Sequence, residues 1–314
     1  MQRAMSGFRP FNPRGLTNSG DVARPERSEK AASSRTSTNI ETVGRMLPAG
    51  ACDCHAHVYG PFDQFPLPSS APFQPPPASI QVLEKLWESF GIERGVIVQG
   101  SAYRQDHRAL LGALRRDPQN RRGVALVGSD TSDAVIDQLH ASGVRGARMN
   151  LVRHLSSGFD ESRCREVVQR IEPFGWHLEL HVDADDLGRL RRFVEESPIN
   201  VVVDHMGRVD AALGTDQPPF RTLLKLISCP HCWVKLSGAD RLAKRCPLET
   251  AVSFARPLME VAPDRVVWGT DWPHVNHEQP QSDAALINLL AEIAPDDLSR
   301  TRLLVENPKR LYGF

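Results

Sequence analysis

Eight short apolar runs punctuate the chain, at 51–55 (ACDCH), 95–101 (GVIVQGS), 122–128 (RGVALVG), 144–150 (VRGARMN), 177–182 (HLELHV), 200–206 (NVVVDHM), 232–238 (CWVKLSG) and 265–271 (RVVWGTD). Several are unbroken Val/Ile/Leu stretches, the pattern of strands covered on both faces. Between the runs, apolar residues return every three or four positions. In 79–91, Ile80, Leu83, Leu86, Trp87 and Phe90 fall on one face of a helix. The same spacing predicts helices over 104–116, 131–142, 160–174, 185–196, 219–228 and 247–261, with 281–293 and 297–305 after the last strand. Thr131, Asp160 and Asp185 stand where N-caps belong. Strand and helix alternating through eight strands predict parallel βαβ units. Closure into a single (β/α)8 TIM barrel over residues 47–314 is the reading, and an open doubly wound sheet is the other arrangement with this rhythm. A barrel needs roughly 250 residues, which the length allows.

Residues 1–46 are different. They are rich in Ser, Arg, Asn, Pro and Gly and poor in large apolar side chains. Such a stretch buries too little surface to offset its ordering entropy, so a disordered tail is expected. It has no apolar segment of a secretory signal. Its Arg and Ser content resembles a transit peptide, but Asp21, Glu26, Glu29 and Glu41 count against that. Met46, just before the first strand, is an alternative start.

Lys plus Arg and Asp plus Glu both number 38, so nothing global points to nucleic acid or an anionic membrane surface. No run approaches the ~18 apolar residues of a membrane span. Six cysteines in 314 residues do not make a disulfide framework, and the cytoplasm is the expected compartment. Cys229-Pro-His-Cys232 has CxxC spacing but no second pair, and reads as loop and strand-start cysteines. The expected partner is a small-molecule substrate, and a homo-oligomer is left open.

In a barrel of this kind the active site forms where the strands end. The first strand ends in His55-Ala56-His57, and side chains two apart on a strand share a face. The fifth carries His181, the sixth ends in Asp204-His205 and the eighth in Asp271. Ser101 follows the second strand and Arg148 sits on the fourth. Each residue alone is a weak signal, because an isolated core histidine is more often a hydrogen-bonded structural group. The joint placement at strand ends carries the argument.

Here the motifs become specific. Asp53-Cys-His-Ala-His57, Val98-Gln-Gly-Ser-Ala-Tyr103, Gly143-Val-Arg-Gly-Ala-Arg-Met-Asn150, Val203-Asp-His-Met-Gly207, Trp268-Gly-Thr-Asp-Trp-Pro-His274 and the terminal Glu306-Asn-Pro resemble the amidohydrolase superfamily. The similarity spans about residues 50–314 and lies in the amidohydrolase-related branch, nearest the 2-pyrone-4,6-dicarboxylate lactonases and similar metal-using lactone hydrolases. The resemblance implies that His55, His57, His181 and Asp271 hold one divalent metal, Zn²⁺ or Mn²⁺. It further implies that Asp271 acts as general base and that His205 polarises the substrate. Ser101, Tyr103 and Asn276 are the implied hydrogen-bond partners of the substrate. Arg148, whose guanidinium suits a carboxylate, is the leading anion contact, and Arg208 is a weaker candidate.

Two departures matter. The pyrone dicarboxylate enzymes work without metal and carry a tyrosine where this chain has His181. They also place an arginine near the position of His154, for which the neighbouring Arg153 is the candidate substitute. Both departures favour another small anionic lactone, with metal-free hydrolysis as the alternative. A metal-dependent decarboxylase or amidase would use the same five residues. A binding module on a barrel scaffold would leave the polar strand ends eroded, and here they are filled. The stretch Trp272-Pro-His274 to Asn276-His277 reads as a rim loop, with a further ligand as the alternative.

Overall fold

The computed structural model describes residues 47–156, 158–277 and 280–314; the expected tail over 1–46 lies outside them. Eight strands form one sheet: β1 (Cys52–Ala56), β2 (Arg94–Val98), β3 (Arg121–Leu126), β4 (Val144–Asn150), β5 (His177–His181), β6 (Val201–Val203), β7 (Cys232–Leu236) and β8 (Val266–Trp268). They are hydrogen-bonded in chain order, and every pairing is parallel. Helices follow the strands and cover the outside, which is why the strands read as unbroken apolar runs. The sheet is a (β/α)8 barrel. Among the described residues no helix is long and apolar enough to cross a membrane. All six cysteines are unbridged.

The seam of the barrel is closed by the segment just beyond β8. His57 N donates to Trp272 O at 2.8 Å, and Asp271 N donates to His55 O at 2.7 Å. Asp53, fully buried, locks the same seam. Its carboxylate accepts from the backbone N and hydroxyl of Thr270 at 3.0 and 2.6 Å, and from Trp87 Nε1 at 2.9 Å. Two glycines make the close approaches possible. A Cβ at Gly269 would sit 2.5 Å from His55 N, and one at Gly95 would sit 2.1 Å from the Trp87 ring. Trp87 lies on the helix Ile80–Phe90, which buries Ile80, Leu83, Trp87 and Phe90 as its spacing predicts.

Element ends differ from the sequence reading in places that matter. β6 stops at Val203 and β8 at Trp268, so His205 and Asp271 stand in turns beyond the strands. The cap of the helix Asp133–Ala141 is Ser132, whose hydroxyl accepts from Val135 N. Thr131, expected there, instead accepts from Gly128 N and donates to Gln105 Oε1. Asp160 caps as expected, accepting from Arg163 N. Asp185 is not a cap, because a 3-10 turn (Ala184–Arg189) precedes the helix Leu190–Glu195 and holds Asp185 within it. A helix at Asn307–Tyr312 lies beyond the last one expected.

Candidate active site

The site grows out of β1. His57 Nδ1 lies 2.8 Å from Val98 O. A carbonyl only accepts, so Nδ1 donates to it, and Nε2 faces Asp271 Oδ1, 3.5 Å away. His55 is fully buried. Its Nδ1 meets Lys235 Nζ at 3.1 Å, and its Nε2 has no hydrogen-bond partner among the described residues and points at Asp271 Oδ1 from 3.7 Å.

His205 enters from a turn in which it, Met206 and Gly207 all have left-handed backbones. Such a run costs about 1–2 kcal/mol per non-glycine residue and persists only where its surroundings hold it. Here it turns the imidazole back into the barrel. Nδ1 meets Ser237 Oγ at 2.9 Å, and Nε2 comes to 4.0 Å from Asp271 Oδ1. Asp271 is itself left-handed (φ 63°). Its Oδ2 accepts from Arg241 Nε at 2.5 Å, and Arg241 is anchored in turn by Val275 O at 3.0 Å.

Burial sets the charges. It pushes the His55 imidazolium down to about 3, with Lys235 adding to the effect. His181 and His205 are likewise held well below the usual histidine value, chiefly by burial. Burial alone would raise Asp271, but Arg241 and the surrounding histidines outweigh it and hold the carboxyl well below its ordinary range. The result is an ionised carboxylate near the neutral imidazoles of His55, His181 and His205.

The donor set fits a divalent metal. His55 Nε2, His57 Nε2 and Asp271 Oδ1 converge, and the spacings of 3.5 and 3.7 Å from the carboxylate oxygen to each nitrogen resemble the edges of a coordination polyhedron with bonds of about 2.0–2.2 Å. His55 Nε2 is buried without a hydrogen-bond partner among the described residues, and it would offer a metal its lone pair in the tautomer that keeps the proton on Nδ1, toward Asp204 Oδ1 at 3.6 Å. A second group, His55, Asp204 and His205, overlaps the first. The structure does not bring His181 into either. Its Nδ1 faces Asn150 Oδ1 at 3.2 Å, and its Nε2 receives Arg208 Nη1 at 3.1 Å.

Beneath these residues lies a charged array that the sequence reading did not single out. Lys235, fully buried, pairs with Glu179 Oε1 at 2.6 Å and sits 3.6 Å from Asp204 Oδ1. Arg148 Nε donates to Asp204 Oδ2 at 2.8 Å, so part of the expected substrate contact is spent inside the protein. His177 and Tyr312 also reach Glu179.

A cavity of about 280 Å³ opens above the histidines. Its walls carry the cationic side chains Arg148, Arg208, Arg241 and Lys244, with Asp271 as the one carboxylate, so it suits an anion. Ser101, His154, His181 and Asn276 also line it. Two expected residues do not. Tyr103 is buried, its hydroxyl accepting from Gly60 N at 2.8 Å and donating to Phe65 O at 3.1 Å, while Tyr59 takes the wall position. Arg153 points outward, to 3.5 and 3.7 Å from Asp185 and Asp186. Arg241 and Lys244 were missed. Their only signal was position, shortly past the end of the seventh strand at Leu236.

Comparison with known proteins agrees with this geometry. Residues 52–314 match the family model described as amidohydrolase. The 2-pyrone-4,6-dicarboxylate hydrolase of Comamonas testosteroni is 39% identical over 277 residues, covering 85% of this chain and 91% of its own. The 4-sulfomuconolactone hydrolase of Hydrogenophaga intermedia is 35% identical over 280 residues, covering 88% and 92%. The solved structure of a probable 2-pyrone-4,6-dicarboxylic acid hydrolase from Acinetobacter baumannii, with citric acid bound, superposes with a TM-score of 0.74 at 27% identity, covering 84% of this chain and all of that one. The chain belongs to the amidohydrolase family.

Proposed function

We propose that this protein is a hydrolase that opens a small anionic lactone by adding water to the ring ester carbonyl. The observation that carries the reading is Asp271, whose Oδ1 lies 3.5–4.0 Å from the Nε2 atoms of His57, His55 and His205 at the floor of a cavity walled by cations. Two of the relatives named above are hydrolases of anionic lactones, which supports the same substrate class.

Asp271 Oδ1 takes the proton of the attacking water and returns it to the departing ring oxygen. His205 Nδ1 pairs with the Ser237 hydroxyl, and in the tautomer in which Ser237 donates, Nε2 carries the proton and donates to the oxyanion formed at the carbonyl. Arg148, Arg241, Ser101 and Asn276 orient the substrate's carboxylates, with Arg208 beside them. His55, His57 and Asp271 would hold one Zn²⁺ or Mn²⁺, which when bound supplies an acidified water and a Lewis acid at neutral pH. The cytoplasm is the compartment that fits this chemistry.

The test is turnover of a panel of carboxylated lactones, followed by loss of the ring ester and uptake of base. Asp271→Asn should abolish it. Release of carbon dioxide or ammonia from carboxylate or amide substrates, without lactone opening, would move the reading to the decarboxylase or amidase branch.

A further inference from the structure

The catalytic cavity does not end at its own walls. A second chamber of about 550 Å³ adjoins it, and the two share Ser101, Arg148 and Leu155. The inner cavity alone, at about 280 Å³, is at the small end for a ligand site, which commonly spans about 300–1,000 Å³. The outer chamber is formed where the chain leaves β2, β3 and β4. Leu126, Val127, Met149, Leu151 and Leu155 give it an apolar wall.

Two arginines complete it. Arg104 has a backbone no ordinary residue prefers (φ 50°, ψ −123°). That backbone is pinned by Gln99 Nε2 on its carbonyl at 2.7 Å, and its guanidinium is aimed by Ser70 O at 2.5 Å. Strain of this kind is retained where a side chain must be placed. Arg163, in the first turn of the helix Glu161–Ile171, makes no side-chain hydrogen bond or ion pair among the described residues. One carboxylate, Asp130, lines the same chamber, and its Oδ1 is already taken by Gln105 Nε2 at 3.1 Å. Arg148 is paired with Asp204, so Arg104 and Arg163 stand against the single charge of Asp130, and the balance of the chamber is positive.

We propose that the outer chamber is a second anion subsite, which receives a carboxylate carried at the end of an apolar arm on the lactone ring. The ring ester sits at Asp271, the arm runs along Leu155 and Val127, and its terminal carboxylate meets Arg163 and Arg104. This deepens the lactonase reading and rests on it for the position of the ring.

The probes are a γ-lactone bearing a carboxymethyl group and the same ring bearing longer carboxyalkyl arms. KM should fall about tenfold for the arm that reaches the subsite, the worth of one charge-assisted contact. An arm of the same length ending in an alcohol should lose that gain. Arg163→Glu should raise KM for the long-arm acid about tenfold or more and leave kcat and KM for the carboxymethyl probe unchanged. Val127→Trp, which fills the apolar wall, should act the same way. Equal KM for short and long arms, or an Arg163→Glu effect on both alike, overturns the proposal. Calorimetry with the matching cyclic ethers, which have no ester to open, separates the two readings. Arm-selective binding without any lactone turnover would reject the hydrolase and keep the subsite.

Discussion

Arg241 donates its Nε to Oδ2 of Asp271, which leaves Oδ1 as the oxygen of that carboxylate that faces the histidines. Burial pulls this carboxyl upward, and Arg241 is the largest influence holding it down. A general base must be ionised, so activity is lost as pH falls through its pKa. Arg241→Met leaves burial less opposed and raises that pKa. The acidic limb of the kcat/KM profile should therefore move to higher pH, and activity should also fall about 10- to 100-fold because the base loses the group that positions it. A pH–rate profile reads both. A limb that stays put while KM rises would make Arg241 a substrate contact alone.

The donor geometry separates His57 from His181. Purified protein loaded with Zn²⁺ or Mn²⁺ should hold one equivalent, and chelation should remove both metal and turnover. His57→Ala should lose the metal. His181→Ala should keep it, because His181 Nε2 is engaged by Arg208 rather than by the His55–His57–Asp271 group. Metal analysis of the two variants is the check, and undiminished activity after complete stripping would favour the metal-free route.

The fold was legible because its signals are local and redundant. Strands covered on both faces had to be unbroken apolar runs, and His55, His57, His205 and Asp271 sit in or just after them. What escaped was side-chain direction and the short elements. Tyr59 and Tyr103 stack 6.1 Å apart, yet only Tyr59 faces the cavity, and nothing in their sequence neighbourhoods distinguishes them. Arg241 lies on a four-residue helix, Ala239–Leu242, too short to show a period. Lys235 was readable in principle, as a lone lysine inside the run Cys232–Leu236, but its partners come from β1, β5 and the turn after β6, and only the closed barrel supplies them.

That lysine is a stability element. Its ammonium is fully buried against Glu179, and removing one member of such a pair leaves an uncompensated charge. Lys235→Met should cost about 3–5 kcal/mol of unfolding free energy, and adding Glu179→Leu should recover a large part of it. Urea unfolding of the single and double variants tests this. Independent, additive losses would show that the pair is not the unit.

His274 gives a pH-dependent term. Burial lowers its pKa, but Asp283, whose Oδ1 lies 3.0 Å from Nε2, together with Asp271 and Asp240 raises it on balance. The folded state therefore prefers the imidazolium. Its stabilisation is full below the unfolded value of about 6.5 and is lost as pH rises through the higher folded value. The stability gap between the native chain and His274→Gln should be widest in mild acid and shrink above neutrality. A gap that grows with pH would contradict the pairing.

The seam carries a consequence in time. The imidazoles of β1 are made early in synthesis, but Asp271 and the Thr270 that grips Asp53 emerge only near the end of the chain. Contacts this distant in sequence form late and slowly. A chain cut short before residue 270 lacks the groups that meet His55, His57 and Asp53 at the seam, so the site is incomplete until the segment after the last strand docks against the first.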